Sequence, residues 1–368
     1  MDKVYRILAV NPGSTSTKTA VFENERQLFS QNVHHDAEKL KEFPEFQDQL
    51  PYRKETIEAA LSGAGISLES IDVYVGRGGG LAPCLGGTYA VTERLVADAS
   101  VGASGAPHPA QLGSQICWDY ARRHGKSAFV VNPPDTDEYG DLARVTGFSD
   151  LYRRSHIHAL NHKEVALRYC AKARVKYDGV NLVVCHIGGG VSVAAHQGGR
   201  MVDSNDLIGG EGPMMPTRSG SLPAVPLVKL AYSGKYTERE LITRINKNGG
   251  LIDHLGTADA IEIEKRIATG DRKAKAVYDA MIYEIAKCVG ACACAMKGEV
   301  EAILLTGGIS HSKYVTAQLA AYTSWIAPVE VLAGEFEMEA LAAGALRVMR
   351  GEEEARTYTG VPVWSQPE

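Results

Sequence analysis

Apolar residues along the chain fall into short continuous runs and longer amphipathic stretches, and the two kinds alternate. Residues 4–10 are rich in strand formers, Asn11-Pro12-Gly13-Ser14-Thr15-Ser16 breaks the run, and 17–23 resume an extended pattern. The design recurs later. An apolar run at 182–187 is interrupted by Gly188-Gly189-Gly190 and continues through 191–196 before Gly198-Gly199. Two strand–turn–strand openings of this kind are what a duplication would leave, although two unrelated hairpins give the same pattern. Between and after them, helical periodicity marks 55–61, 111–123, 159–176, 237–246, 272–296, 314–325 and 337–349, and strand patterns mark 71–75, 127–131 and 302–305. Such alternation predicts α/β domains with mixed sheets. Residues 202–226 carry no periodicity and several Gly and Pro, so they read as one long loop with Thr217-Arg218-Ser219-Gly220 inside it. Loops of that length in a compact chain are commonly functional.

Composition narrows the classes. The chain has 368 residues, 45% apolar and 23% charged, which suits a globular protein of about two domains and excludes a wholly disordered, collagenous or coiled-coil chain. A net charge of −5 argues against nucleic acid or an anionic membrane as the main partner but leaves room for a local anion pocket. No apolar run reaches the ~18–20 residues of a membrane span, and the first residues lack a signal-peptide pattern. Seven cysteines without a CxxC pair, mostly within apolar runs, read as reduced core residues and point to the cytoplasm. The 38 glycines are clustered, and the clusters are where the chemistry is sought.

The string Asn11–Lys18 places Ser14, Ser16 and Lys18 around a turn whose small residues can bring backbone N–H groups to an anion; it reads equally as a plain Asn-Pro-Gly hairpin turn. It is not a Walker A loop. His186-Ile187-Gly188-Gly189-Gly190 is a second phosphate candidate, since three glycines are tolerated where backbone must approach a ligand. Thr306-Gly307-Gly308 closes an apolar strand before a helix, where a purine or ribose can lie against backbone. His158 and His162 have i,i+4 spacing, but no third ligand accompanies them, so His162 reads as a helix-facing hydrogen-bonding group and not a zinc ligand.

Taken in order, these turns resemble the two phosphate segments and the adenosine segment of the actin-like ATPase superfamily. The whole chain resembles the acetokinase family, and within it the butyrate kinase branch. The strings that carry the resemblance are VNPGSTSTK at 10–18, GRGGG at 76–80, HALNHK at 158–163, CHIGGGVS at 185–192, PTRSG at 216–220, LTGGI at 305–309 and GEFEMEALAAGALRV at 334–348. The implied fold is α/β: two duplicated actin-like ATPase (ribonuclease H-like) domains with mixed β-sheets and a cleft between them. The expected boundaries are 1–155 for an N-terminal domain and 156–334 for a C-terminal nucleotide-binding domain. A helix at about 335–368 would return to the first.

The resemblance also implies roles. Arg77 and Arg218 match active-site arginines, and His158 matches the histidine that stabilises the transferring phosphoryl group. His186, Gly188, Gly189, Gly190, Gly307, Gly308, Asn11, Ser14, Ser16 and Lys18 fall in phosphate- or nucleotide-binding segments. Asp137 matches the catalytic aspartate, with Asp135 as rival, and would orient Mg²⁺ through water. Mg²⁺ would also involve Asn11 and a glutamate among Glu335, Glu337 and Glu339, of which Glu337 is preferred. Gly79 and Ile157 stand where acetate kinases carry a valine and a phenylalanine that wall the methyl pocket, so the substrate slot is expected to be wider here. His108 resembles a third family histidine near the substrate.

The expected reaction is reversible phosphoryl transfer between ATP and the carboxylate of butyrate, or a related short or branched acid, giving ADP and an acyl phosphate. A carboxylate is already ionised at neutral pH, so the task is to bring two anions together, which suits arginines, Mg²⁺ and fixed donors. The alternatives are acetate or propionate as substrate, a sugar kinase of the superfamily, or a non-catalytic actin-like ATPase. The expected partners are the small acid and ATP, without nucleic acid or membrane, in a homodimer or larger homo-oligomer.

Overall fold

The computed structural model describes residues 3–105 and 108–366. The chain divides into two compact units, Met1–Asp137 with Phe336–Glu368, and Glu138–Glu335. Residues 138–155, grouped by sequence with the first half, belong to the second unit. Tyr139 donates to the Ser204 carbonyl at 3.0 Å, and Arg153 pairs with Asp203 at 2.9 Å.

In the first unit, β1 (Arg6–Pro12), β2 (Ser16–Glu23) and β3 (Arg26–His34) form an antiparallel meander. β4 (Val73–Gly76) pairs with β1 in parallel, and β6 (Ser127–Val131) pairs with β4 in parallel. β5 (Thr88–Ala90) and then Arg356–Thr357 extend that side. The inner strands are buried on both faces, which is why they read as unbroken apolar runs. The helix Gln111–His124 and the helix Glu337–Met349 both lie against β1, β4 and β6.

The second unit repeats the plan. β7 (Leu182–Ile187), β8 (Val191–Gln197) and β9 (Arg200–Ser204) form a meander, and β10 (Ala302–Thr306) and β11 (Val329–Val331) continue from β7 in parallel. The order β9-β8-β7-β10-β11 matches β3-β2-β1-β4-β6 of the first sheet. The two-domain α/β architecture with mixed sheets is therefore observed. The long helix Arg272–Ala295 covers β7 and β8 from one face, with Tyr278, Met281, Ile282, Ile285 and Val289 in the core. The stretch expected as a single loop at 202–226 is shorter at both ends, because β9 takes its start and the helix Ala224–Ala231 its end.

No disulfide joins the cysteines among the described residues, and no described helix is long and apolar enough to cross a membrane.

Candidate active site

In the first unit the β1–β2 turn is closed by Gly13, whose N–H donates to the Ser16 carbonyl at 2.8 Å. Ser14 is exposed at the tip, while Ser16 and Lys18 are half-buried on β2, where Lys18 stands opposite Asn11. Asn11 is the penultimate residue of β1, and its amide donates to Glu337 Oε2 at 2.6 Å. Arg77 continues β4, its N–H reaching the Val10 carbonyl at 2.8 Å, and its guanidinium meets Glu337 Oε1 at 3.0 Å. Of the three glutamates named from sequence, Glu337 thus joins Asn11 and Arg77 with one oxygen each. It opens the helix Glu337–Met349, while Glu339 lies a half turn further and Glu335 ends the other unit.

Asp135 and Asp137 flank Thr136, which bridges to Cys84; both aspartates are buried. Gly79 is buried with φ +159°, and a Cβ there would stand 3.4 Å from the Gln111 nitrogen. His108 is exposed, and its Nδ1 accepts from the Ala110 N–H at 3.1 Å just before the helix Gln111–His124.

One supporting residue had no sequence signal. Arg53, on the helix Leu50–Gly63, is fully buried. It donates to the Ser16 carbonyl and the Thr17 hydroxyl, both at 3.0 Å, and twice to Gln49 Oε1. It therefore grips the carbonyl that closes the hairpin turn. No carboxylate of the described residues pairs with it, and burial lowers its pKa to about 10. Beside it, His35 contacts the Thr17 hydroxyl at 2.8 Å, and burial together with the Arg53 charge pushes its pKa down to about 4.

In the second unit His158 caps the helix Ala159–Ala173, and its ring stacks on that of His186 at 3.8 Å between centroids. His186 is on β7, just before the turn Gly188–Gly190, which is closed by the Gly188 N–H to the Gly190 carbonyl at 3.0 Å. Glu335 Oε1 stands 3.9 Å from His186 Nε2. Arg218 lies across Gly190, and any Cβ at that glycine would collide with the guanidinium. The Arg218 Nε is buried and has no hydrogen-bond partner among the described residues, and burial lowers the guanidinium pKa. Gly307 has φ +89° and packs directly on the Ile187 backbone, so only glycine fits. A cavity of about 670 Å³ is lined by Gly188, Gly189, Ile261, Gly308, Ile309 and Lys313, among others. Ile157 is buried in a small cluster with Ala159, Ala194 and Met201.

Behind the stacked histidines lies a polar chain of which only His162 was singled out from sequence. His158 Nδ1 meets Ser192 Oγ at 2.9 Å, and Ser192 Oγ meets His162 Nε2 at 2.8 Å. His162 Nδ1 meets His196 Nε2 at 3.3 Å, and His196 Nδ1 meets the Tyr177 hydroxyl at 2.8 Å. Ser192, His162 and His196 are fully buried. Burial, with the neighbouring His186, drops the His162 pKa to about 3; burial, His162 and Lys163 hold His196 well below its usual value. The signal was available as Ser192-x₃-His196 on a period-2 strand facing His158-x₃-His162 on a helix. No cluster of three or more His, Cys, Asp or Glu arranged for a metal occurs among the described residues.

The acetokinase family profile matches residues 140–326. Butyrate kinase 2 of Clostridium acetobutylicum is 43% identical over 354 residues, covering 96% of this chain and 99% of that protein. Butyrate kinase 1 of the same organism is 41% identical over 355 residues, covering 96% and 100%. Among solved structures, Porphyromonas gingivalis acetate kinase superposes with a TM-score of 0.78 at 20% identity, covering 94% of this chain and 99% of that one. A propionate kinase from Francisella tularensis superposes at 0.74 with 16% identity, covering 92% and 98%. Those two likenesses concern the fold, whereas the sequence matches run nearly end to end, and on them the chain belongs to the acetokinase family.

Proposed function

We propose that this protein transfers the γ-phosphoryl group of ATP to the carboxylate of butyrate, reversibly, giving ADP and butyryl phosphate. Near-full-length identity to proteins named butyrate kinases supports the choice of reaction. The geometric observation that carries it is the half-buried Arg218 side chain lying across Gly190 with a buried, unpartnered Nε, beside the glycine turn that follows His186. Such a surface suits an anion.

A butyrate oxygen attacks the γ-phosphorus while the bond from that phosphorus to the bridging β-oxygen breaks, so no proton has to be removed. Arg77 and Arg218 hold carboxylate and phosphoryl oxygens, and His158 donates to an oxygen of the group in flight. Asn11, Ser14, Ser16 and Lys18, and His186 with Gly188, Gly189 and Gly190, are assigned to the phosphates. Gly308 borders the cavity assigned to the nucleoside, and Gly307 precedes it in the same turn. Asn11 and Glu337 bring an amide and a carboxylate together, an oxygen set that fits Mg²⁺, which keeps several waters and phosphate ligands. When bound with the nucleotide, the ion neutralises phosphate charge. Asp137 is assigned to its outer ligand sphere in preference to Asp135.

Gly79 and Ile157 are assigned to the acyl slot, with His108 at its margin; the absence of larger side chains there accommodates the extra methylenes, each worth ~0.8 kcal/mol when buried. A cytoplasmic homo-oligomer is part of the same reading, supported by exposed Val225, Val228 and Tyr232 on and beside the helix Ala224–Ala231. The test is acyl phosphate formation from ATP, trapped as hydroxamate, with acids from formate to hexanoate. Maximal kcat/KM at four carbons is expected. A maximum at acetate or no trapped product overturns it.

A further inference from the structure

The polar chain behind His158 has a direction, and the direction has a chemical consequence. A neutral imidazole has one N–H and one bare nitrogen, and its partners decide which is which. Each link from Tyr177 to His158 joins a nitrogen or hydroxyl that can give a proton to one that can take it, so a choice at one end propagates along the whole chain.

The Tyr177 end makes that choice. His196 Nδ1 is the one hydrogen-bond partner of the Tyr177 hydroxyl among the described residues. Burial raises the phenol pKa well above its usual value, so the hydroxyl keeps its proton. If Tyr177 accepted from His196, that proton would have no acceptor among the described residues, a costly arrangement for a desolvated group. Tyr177 therefore donates to His196 Nδ1. His196 must then carry its hydrogen on Nε2 and give it to His162 Nδ1; His162 in turn gives its Nε2 hydrogen to Ser192. The Ser192 hydroxyl is left to donate to His158 Nδ1. His158 ends with its proton on Nε2.

A second, independent chain reaches the stacked partner. The Thr306 hydroxyl donates to the Gly334 carbonyl at 3.0 Å, so it can only accept from Asn161. That fixes the Asn161 amide with its NH₂ toward Thr306 at 3.2 Å and toward His186 Nδ1 at 2.9 Å. His186 likewise receives a donor at Nδ1 and carries its hydrogen on Nε2.

We infer that Tyr177, His196, His162 and Ser192 on one side, and Thr306 and Asn161 on the other, are positioning residues that hold His158 and His186 as neutral Nε2–H tautomers. Two adjacent N–H donors are thereby prepared before substrate arrives, and no reorganisation is required when charge develops on the phosphoryl group. This rests on the phosphoryl-transfer reading for its purpose, but the tautomers stand or fall separately.

The experiment uses full-length protein with ¹⁵N-labelled histidine and long-range ¹H–¹⁵N correlation at neutral pH, which separates protonated from bare ring nitrogens. His158, His162, His186 and His196 are all expected as Nε2–H. Tyr177→Phe removes only the terminal donor. It should give mixed tautomers at His158 while leaving His186 unchanged, and kcat should fall by about 2- to 12-fold, the rate equivalent of one net hydrogen bond, with KM for ATP held within about two-fold. An Nδ1–H tautomer at His162 or His196 in the unsubstituted protein overturns the inference, as does an unaltered His158 signal in Tyr177→Phe. Should Tyr177→Phe fold poorly, Ser192→Ala serves, since it cuts the chain next to His158 with the same expected and overturning signals. His158→Asn with near-normal turnover would instead remove the catalytic reading and leave the tautomer assignment standing.

Discussion

Arg77 and Arg218 look alike in sequence, each beside glycine, but their surroundings differ. Arg77 forms an ion pair with Glu337, although its buried Nη1 lacks hydrogen-bond geometry, whereas Arg218 has a buried Nε without a hydrogen-bond partner and no ion pair among the described residues. Removing Arg77 strands Glu337 as well as losing a positive charge; removing Arg218 leaves a cavity and no orphaned carboxylate. Arg218→Ala should therefore lower kcat on the order of 10²-fold with thermal stability preserved. Arg77→Ala should lower kcat similarly and also lose stability, part of which Arg77→Ala/Glu337→Gln restores; paired kinetic and melting measurements check both. Near-normal turnover in both single variants would remove the arginine clamp. Asp137→Asn is expected to cost more in kcat than Asp135→Asn, and the reverse order would move the Mg²⁺-orienting role to Asp135. At Gly79 a side chain meets backbone strain at φ +159° whatever the acyl pocket is like, so Ile157 is the cleaner probe of selectivity. Ile157→Phe should lower the butyrate-to-acetate ratio of kcat/KM by about 5- to 150-fold, from the ~1–3 kcal/mol usual for overpacking. An unchanged ratio in folded protein would place the acyl chain elsewhere.

Elements with an unambiguous period were legible to the residue. β6, β7 and the helix Glu337–Met349 fall where the apolar pattern put them, because each is an apolar run or stripe with sharp polar ends. β3 was not read, since it is an edge strand with Arg26, Gln27 and Gln31 exposed and only Phe29 and Val33 half-buried. The helix Leu50–Gly63 begins five residues before its apolar period becomes visible, because its first turn is set by Pro51 and not by hydrophobicity. The two hairpin turns at 11–16 and 188–190 and the glycine turn at 306–308 were legible as strings. Their supports were not, because a buried arginine and a surface arginine on a helix look the same in sequence, and Arg53 is identified only by what surrounds it. Its role can be measured. Arg53→Met keeps the volume but releases the Ser16 carbonyl and Thr17, so unfolding in urea should show a loss of about 1–3 kcal/mol. KM for ATP should rise, and with the nearby positive charge gone the His35 pKa should climb from about 4 toward its ordinary value, as NMR titration would show. Unchanged KM and an unmoved His35 would leave Arg53 as packing alone.

Burial lowers the pKa of His35 in one unit and of His162 and His196 in the other, and holds each neutral. Each has a folded pKa below its unfolded value, so the unfolded chain binds more protons once the pH falls below about 6.5. Stability is thus fully present above that pH and is lost on acidification, through about 4 for His35 and about 3 for His162. Melting temperatures should fall steadily from pH 7 to pH 4, and His35→Gln should flatten the upper part of that slope; a flat profile in the parent protein would mean the histidines are not buried neutral. The division of the chain has a further consequence for biosynthesis. The second unit is contiguous, Glu138–Glu335, whereas the first is assembled from segments on both sides of it. A ribosome therefore completes the second unit's sequence while the first still lacks the helix that carries Glu337. Until that helix emerges, Arg77 and Asn11 have not met the carboxylate that joins them, and the β1–β4–β6 surface it covers is bare. Synthesis of the Glu337–Met349 helix, not completion of the first 137 residues, sets when Asn11 and Arg77 can meet Glu337, and a nascent chain stalled near residue 335 should expose that apolar surface to chaperones.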